Sequence, residues 1–184
     1  ITGVGAGTAI ITYTVTGGVC PNDDTTLDVT VTTPPNAGAL SGVQNICLTD
    51  TTTFTSDGDA GGSWSSSDTT VATVDASGVI TGVGAGTATI TYTVLGTGGC
   101  ADDNTTLTVT VLVTPNAGTL SGVQDVCVGD TTVFTSNGDA NGTWSSSDTA
   151  VASVDASGVI TGVGAGTAII TYTVTGGVCP NDDT

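Results

Sequence analysis

Polar and apolar residues alternate with a period of two along much of this chain. In TATITYTV (Thr87–Val94) and TTLTVTV (Thr105–Val111) apolar residues recur at every second position and Thr fills most of the rest. Such alternation marks a strand with one face buried. Between these runs lie DGDAGG, SSSD, DASG, GVGAG and TGGCADDN. Gly takes left-handed backbone freely and Asp or Asn side chains bond their own backbone, so these clusters read as turns. Across residues 34–113 the pattern predicts an A region at Ala39–Leu48, then B at Thr51–Ser56, C at Gly62–Ser67 and D at Val71–Asp75. E follows at Gly78–Gly82, F at Gly86–Val94 and G at Thr105–Val113. The expected core is Phe54, Trp64, Val71, Val74, Val79, Ile80, Ile90, Tyr92, Val94, Leu107 and Val109. Its counterparts are Phe134, Trp144, Val151, Val154, Ile160, Ile170 and Tyr172.

The pattern repeats. ITGVGAGTA begins at Ile1, Ile80 and Ile160, and Ile1–Thr25 is identical to Ile160–Thr184. The larger period is therefore 159 residues, a pair of slightly different units. A unit of about 80 residues suits a small β-sandwich better than a solenoid coil. Pro34–Pro35 and Pro115 mark junctions, because Pro cannot feed a central strand. The expectation is an all-β chain of tandem immunoglobulin-like β-sandwich domains, strung like beads. Residues 1–33 are read as the C-terminal strands of a preceding domain, 34–113 as a complete domain, and 114–184 as a domain lacking its last strand. Opening and closing at one phase of the period reads as a window on a longer array.

Composition sharpens the functional reading. The 184 residues include no Lys, Arg or His; all 17 acidic residues are Asp, and the net charge is −17. A chain without cations neutralises no phosphates, so nucleic acid is not expected as a partner and anionic membrane surfaces are poor ones. No segment is apolar for long enough to span a bilayer, so membrane insertion is not expected. General acid–base chemistry at neutral pH draws on His, Glu or Lys, and a Ser or Thr nucleophile needs an adjacent base. All three are missing, so the chain is read as no enzyme. GVGAG at Gly82–Gly86 lacks the Lys and the helix start of a phosphate loop, and is read as a turn between strands E and F.

With these residues in view, WSSSDTTVATVDASGVITGVGAGTATITYTV (Trp64–Val94) and its counterpart at Trp144–Val174 resemble the signature of bacterial Ig-like domains of group 2. VCVGD at Val126–Asp130 and GGC at Gly98–Cys100 resemble the version found in giant repetitive surface proteins of Bacteroidota. The resemblance implies secretion to the cell surface or beyond. It also implies use as stalk, spacer, adhesin arm or fibre subunit, because one fold serves all of these.

The five cysteines, Cys20, Cys47, Cys100, Cys127 and Cys179, recur with the unit, one before strand B and one between F and G. No C-x-x-C spacing and no His occurs, so structural disulfides are expected in place of zinc or redox sites. Two pairings stand open. One lies within each domain, Cys47–Cys100 and Cys127–Cys179, with Cys20 paired outside. The other runs head to tail and joins Cys47 to Cys179, because the A–B and F–G loops of an Ig sandwich sit at opposite poles.

The B–C and F–G loops share a pole. They carry Asp57, Asp59, Asp102 and Asp103, and in the next repeat Asp139, Asp182 and Asp183. Close carboxylates repel by roughly 1 kcal/mol per pair in water. A Ca²⁺ ion, which takes hard oxygen ligands, is the candidate cofactor that relieves this; solvated turn residues are the alternative. Thr25, Thr51, Thr69, Thr131 and Thr149 follow Asp in a pattern that resembles the O-glycosylation motif of Bacteroidota. The function expected is that of a structural subunit of an extracellular filament, with neighbouring copies of itself as partners. The alternative is the passive stalk of a surface adhesin whose tip lies elsewhere. A sugar- or ice-binding module using Thr-rich strand faces ranks last, because those faces are short.

Overall fold

A computed structural model describes residues 1–184, and the chain is built wholly of strands and turns. The first strands are β1 (Gly7–Val15), β2 (Asp23–Val31), β3 (Leu40–Ser41), β4 (Asn45–Cys47), β5 (Thr51–Thr53) and β6 (Thr55–Ser56). There follow β7 (Ser63–Ser66), β8 (Ala72–Val74), β9 (Val79–Gly82), β10 (Gly86–Val94) and β11 (Asp103–Leu112). The next repeat gives β12 (Leu120–Ser121), β13 (Thr131–Val133), β14 (Thr135–Ser136), β15 (Thr143–Ser146) and β16 (Ala152–Val154). It closes with β17 (Val159–Gly162), β18 (Ile170–Val174) and β19 (Asp182–Asp183).

Strand F has the bounds its alternation predicts. The A and B regions instead break in two. Gly42 has φ 151°, where a side chain is strained, and a Cβ there would run into the Phe54 ring and the Thr53 carbonyl. The chain bends at this point, so β3 pairs with β6 while β4 moves on to pair in parallel with β11. Strand B breaks at Phe54, whose N–H bonds the Gly78 carbonyl at 2.9 Å while its ring is buried.

The chain divides into two compact units. The first comprises Ile1–Gln44, Thr51–Thr81 and Ala88–Val109. It holds the antiparallel hairpin β1–β2, in register from Gly7↔Val31 to Val15↔Asp23. Ile10, Tyr13 and Leu27 of this hairpin are exposed. The unit also holds the β3–β6 pair, most of the three-stranded sheet β5-β9-β8, and the β7–β10 pairing. Trp64 stands opposite Tyr92, with ring centroids 4.7 Å apart. Ala37, Tyr92 and Val94 form a buried cluster against which Leu40 and Trp64 pack.

The second unit comprises Asn45–Asp50, Gly82–Thr87 and Thr110–Thr184. Here β4 pairs with the end of β11, Asn45 opposite Thr110 and Cys47 opposite Leu112. The sheets β13-β17-β16 and β15-β18-β19 carry the rest. Ala117, Tyr172 and Val174 cluster, with Leu120 and Trp144 packed against them.

The core departs from expectation in its small residues. Phe54, Ile80, Ile90, Tyr92, Val94 and Val109 are buried, but so are Ala37, Ile46, Ala72, Ala88 and Val111. Trp64, Val71, Val74, Val79 and Leu107 are only half-buried. Small alanine side chains are thus enclosed where several larger ones are not. In the later repeat Ile160 and Tyr172 are buried, while Phe134, Trp144, Val151, Val154 and Ile170 are half-buried.

Candidate functional site: the Cys47–Cys179 bridge and the acidic loops

Cys47 ends β4, and Cys179 lies in the loop between β18 and β19. They form a disulfide with Cα atoms 5.6 Å apart and 132 residues of sequence separation. The head-to-tail pairing is therefore the one observed, and Cys47–Cys100 and Cys127–Cys179 do not form. Strand β11 supplies the reason. Cys100 sits just before its first residue, whereas Cys47 stands opposite Leu112, its last. Ten residues of strand separate the two ends by about 30 Å, far beyond the ~7 Å a bridge allows. Cys20, Cys100 and Cys127 are free thiols; Cys20 and Cys127 are exposed. Cys100 is half-buried, with its sulfur 3.2 Å from the Thr32 hydroxyl oxygen, and that hydroxyl donates to the Thr97 carbonyl at 3.1 Å.

The acidic loops are built from backbone capture. Asp57 accepts from the Ala39 N–H at 2.6 Å, and Asp59 from Asn36 at 2.9 Å. Asp102 accepts from Gly96 at 2.8 Å, and Asp103 from the buried Ala37 at 2.7 Å. In the next repeat Asp139 takes the N–H of Asn116 and Asp182 that of Ala117. Asn137 replaces Asp57 by accepting from Thr119 at 2.7 Å. Asp183 lies exposed in β19. No three of the metal-capable side chains gather into a group that could hold an ion. Each of these six carboxylates ties down one N–H of a neighbouring segment, so the repulsion expected among them is offset by six separate charge-assisted hydrogen bonds.

Tyr92 locks the same pole. Its hydroxyl donates to the Asp59 carbonyl at 2.8 Å and accepts from the Gly62 N–H at 2.9 Å. Tyr172 does the same with Asp139 and Gly142. The sequence pattern reveals the tyrosines as core residues but not their hydroxyl tethers. Removing one hydroxyl leaves two backbone groups unpaired. Tyr92→Phe is expected to cost about 1–2 kcal/mol in urea unfolding. Tyr172→Phe, in the other unit, should add to it almost fully.

All five threonines of the Asp-Thr pattern are exposed. Thr25 lies in β2, Thr51 in β5 and Thr131 in β13, while Thr69 and Thr149 lie in turns. Beside Thr69, the Thr70 hydroxyl and N–H donate to Asp68 at 2.6 and 2.9 Å. These bonds hold the Asp68 carboxyl below its ordinary pKa. Their contribution is present at neutral pH and is lost as pH falls through that lowered value.

These features define an all-β protein of immunoglobulin-like sandwiches. Residues 28–111 match the family of bacterial Ig-like domains (group 2), and residues 129–176 match the immunoglobulin-like domain of intimin. Residues 28–111 thus carry a bacterial Ig-like domain, and residues 129–176 an immunoglobulin-like domain of the intimin kind. Domains of these families are non-enzymatic structural and adhesive modules of the cell exterior. Comparison with curated proteins gives no match. Among solved structures, the S-layer protein rSbsC(31-844) is 17% identical, over 97% of this chain and 34% of that one, with a TM-score of 0.34. Domains 1–6 of surface layer protein SbsC are 16% identical over the same shares, again with a TM-score of 0.34. The chain thus spans about a third of those structures, and at that TM-score the likeness extends to no functional point.

Proposed function

We propose that this chain is a segment of an extracellular filament or fibre whose shaft is made of tandem Ig-like domains and whose partners are further copies of the same repeat. The observation that carries this reading is the Cys47–Cys179 bridge, which ties a cysteine of one sequence repeat to a cysteine of the next. A passive spacer needs no covalent link between consecutive repeats, whereas a shaft of fixed geometry gains from one. The absence of Lys and Arg supports the same reading, since trypsin-like proteases find no cleavage site. So does the exact return of Ile1–Thr25 at Ile160–Thr184, because near-identical neighbours invite domain swapping and are tolerated where regular geometry matters.

The test is a cryo-electron micrograph of the native material carried to side-chain resolution. Continuous density in which the 159-residue unit recurs in fixed register supports the filament. A flexible string of domains ending in a distinct globule overturns it in favour of an adhesin stalk.

A further inference from the structure

Two asparagines between β14 and β15, or at the edge of that connection, precede glycine: Asn137–Gly138 and Asn141–Gly142. In an Asn-Gly pair the glycine nitrogen can close on the asparagine Cγ, because no Cβ on the glycine obstructs the approach. The two pairs share this chemistry, but the fold holds them differently.

Asn137 is clamped. Its side-chain carbonyl accepts from the Thr119 N–H at 2.7 Å and from the Thr119 hydroxyl at 3.3 Å. Its own N–H donates to the Thr119 carbonyl at 3.3 Å. The Gly138 N–H donates to the Ser136 hydroxyl at 3.0 Å. Gly138 lies so close to the Asn116 carbonyl that a Cβ would collide with it. Swinging the Asn137 side chain onto the Gly138 nitrogen breaks this whole set. Asn141 is exposed, and its side chain carries no such ties. Its φ of 71° is left-handed, a region that asparagine tolerates better than most residues. One bond restrains the attacking nitrogen: the Gly142 N–H donates to the Tyr172 hydroxyl at 2.7 Å. That hydroxyl's own proton is given to the Asp139 carbonyl. The earlier repeat has the same tether, from Gly62 to Tyr92, but Gly61 stands where Asn141 does and offers no side chain to react.

We propose that Asn141 is a site of spontaneous covalent modification, and that the Tyr172 hydroxyl sets its pace. Hydroxide takes the Gly142 amide proton once that N–H leaves Tyr172. The nitrogen bonds to Asn141 Cγ, the Cγ–Nδ2 bond breaks, and ammonia departs to leave a succinimide ring. Water then opens the ring. Attack at Cγ gives aspartate; attack at the main-chain carbonyl gives isoaspartate, with the backbone rerouted through the side chain. No oxidant, reductant or enzyme is consumed. Either product adds a negative charge beside Asp139, and isoaspartate lengthens the turn that Tyr172 locks. A phenol is too weak a base to take the amide proton, so the tether acts as a brake. Local opening of one hydrogen bond releases it, whereas Asn137 needs several to open at once.

The test holds the whole folded chain at mildly alkaline pH in water enriched in heavy oxygen. Chymotrypsin cuts after large aromatic residues and releases Thr135–Trp144, which carries both asparagines. Fragmentation of this peptide in a mass spectrometer reads each site separately. Label should enter at Asn141 at least about tenfold faster than at Asn137. An isoaspartyl methyltransferase should methylate the aged chain. In urea the two rates should converge, because the dipeptides are the same. Tyr172→Phe should speed labelling at Asn141 and leave Asn137 as it was. Asn141→Gly should remove the methylation, and it should fold because Gly61 already fills this place with φ 86°. Equal rates at the two asparagines of the folded chain, or labelling in urea alone, would overturn the site. No change at Asn141 in Tyr172→Phe, or an equal rise at both asparagines, would overturn the brake.

Discussion

Replacing Cys47 by Ser is expected to destabilise the second unit by about 4 kcal/mol and to lower its thermal midpoint by about 10 °C. The bridge spans 132 residues, so in its absence the unfolded chain regains a long loop's worth of freedom. Cys179→Ser should match Cys47→Ser, and the double variant should add almost nothing, because both remove one bond. Reduction of the unmodified chain should reproduce the shift. Cys127→Ser is the control, since that thiol is exposed and unpaired in the isolated chain. Scanning calorimetry with and without reductant makes the measurement. Equal midpoints in the two conditions would show that the bridge constrains nothing in the unfolded ensemble.

The second large effect is a contrast between equivalent residues. Phe54→Ala should cost about 4 kcal/mol, the range for a fully enclosed phenylalanine whose loss leaves a cavity. Phe134→Ala should cost about half as much, because the Phe134 ring already borders a cavity and is half-buried. Urea unfolding of the two variants reads the difference directly. Equal costs would mean that the cavity beside Phe134 is closed in solution.

Much of the fold was legible in the chain because alternation is a direct record of burial. Gly86–Val94 alternates strictly and its strand has the predicted bounds. The A region was less legible. Its side chains alternate poorly, and what decides its path is Gly42, where the backbone bends from one sheet to the other. That bend also settles the cysteines. Once β4 lies against the far end of β11, Cys47 is out of reach of Cys100 and only the head-to-tail bridge remains. Spacing alone left both pairings open, because it records neither strand polarity nor the switch of sheets. The acidic loops show a different limit. Sequence places Asp57, Asp59, Asp102 and Asp103 in two loops at one pole, but not the direction each carboxylate faces. The structure turns each toward a different backbone N–H. The alanines of the core were missed for a simpler reason: a small side chain in a Gly- and Thr-rich sequence carries little hydrophobic signal, however tightly it is enclosed.

The bridge also governs how the chain yields to tension. When the two ends are pulled apart, the force reaching Cys47 crosses the sulfur–sulfur bond to Cys179 and bypasses everything between. About 450 Å of contour length, at ~3.4 Å per extended residue, is thereby withheld from stretching. Sandwiches inside that loop can melt without lengthening the chain. In a force spectrometer the oxidised protein should show short extensions from the outer segments alone, and the hidden length should appear only when a reductant cuts the bond.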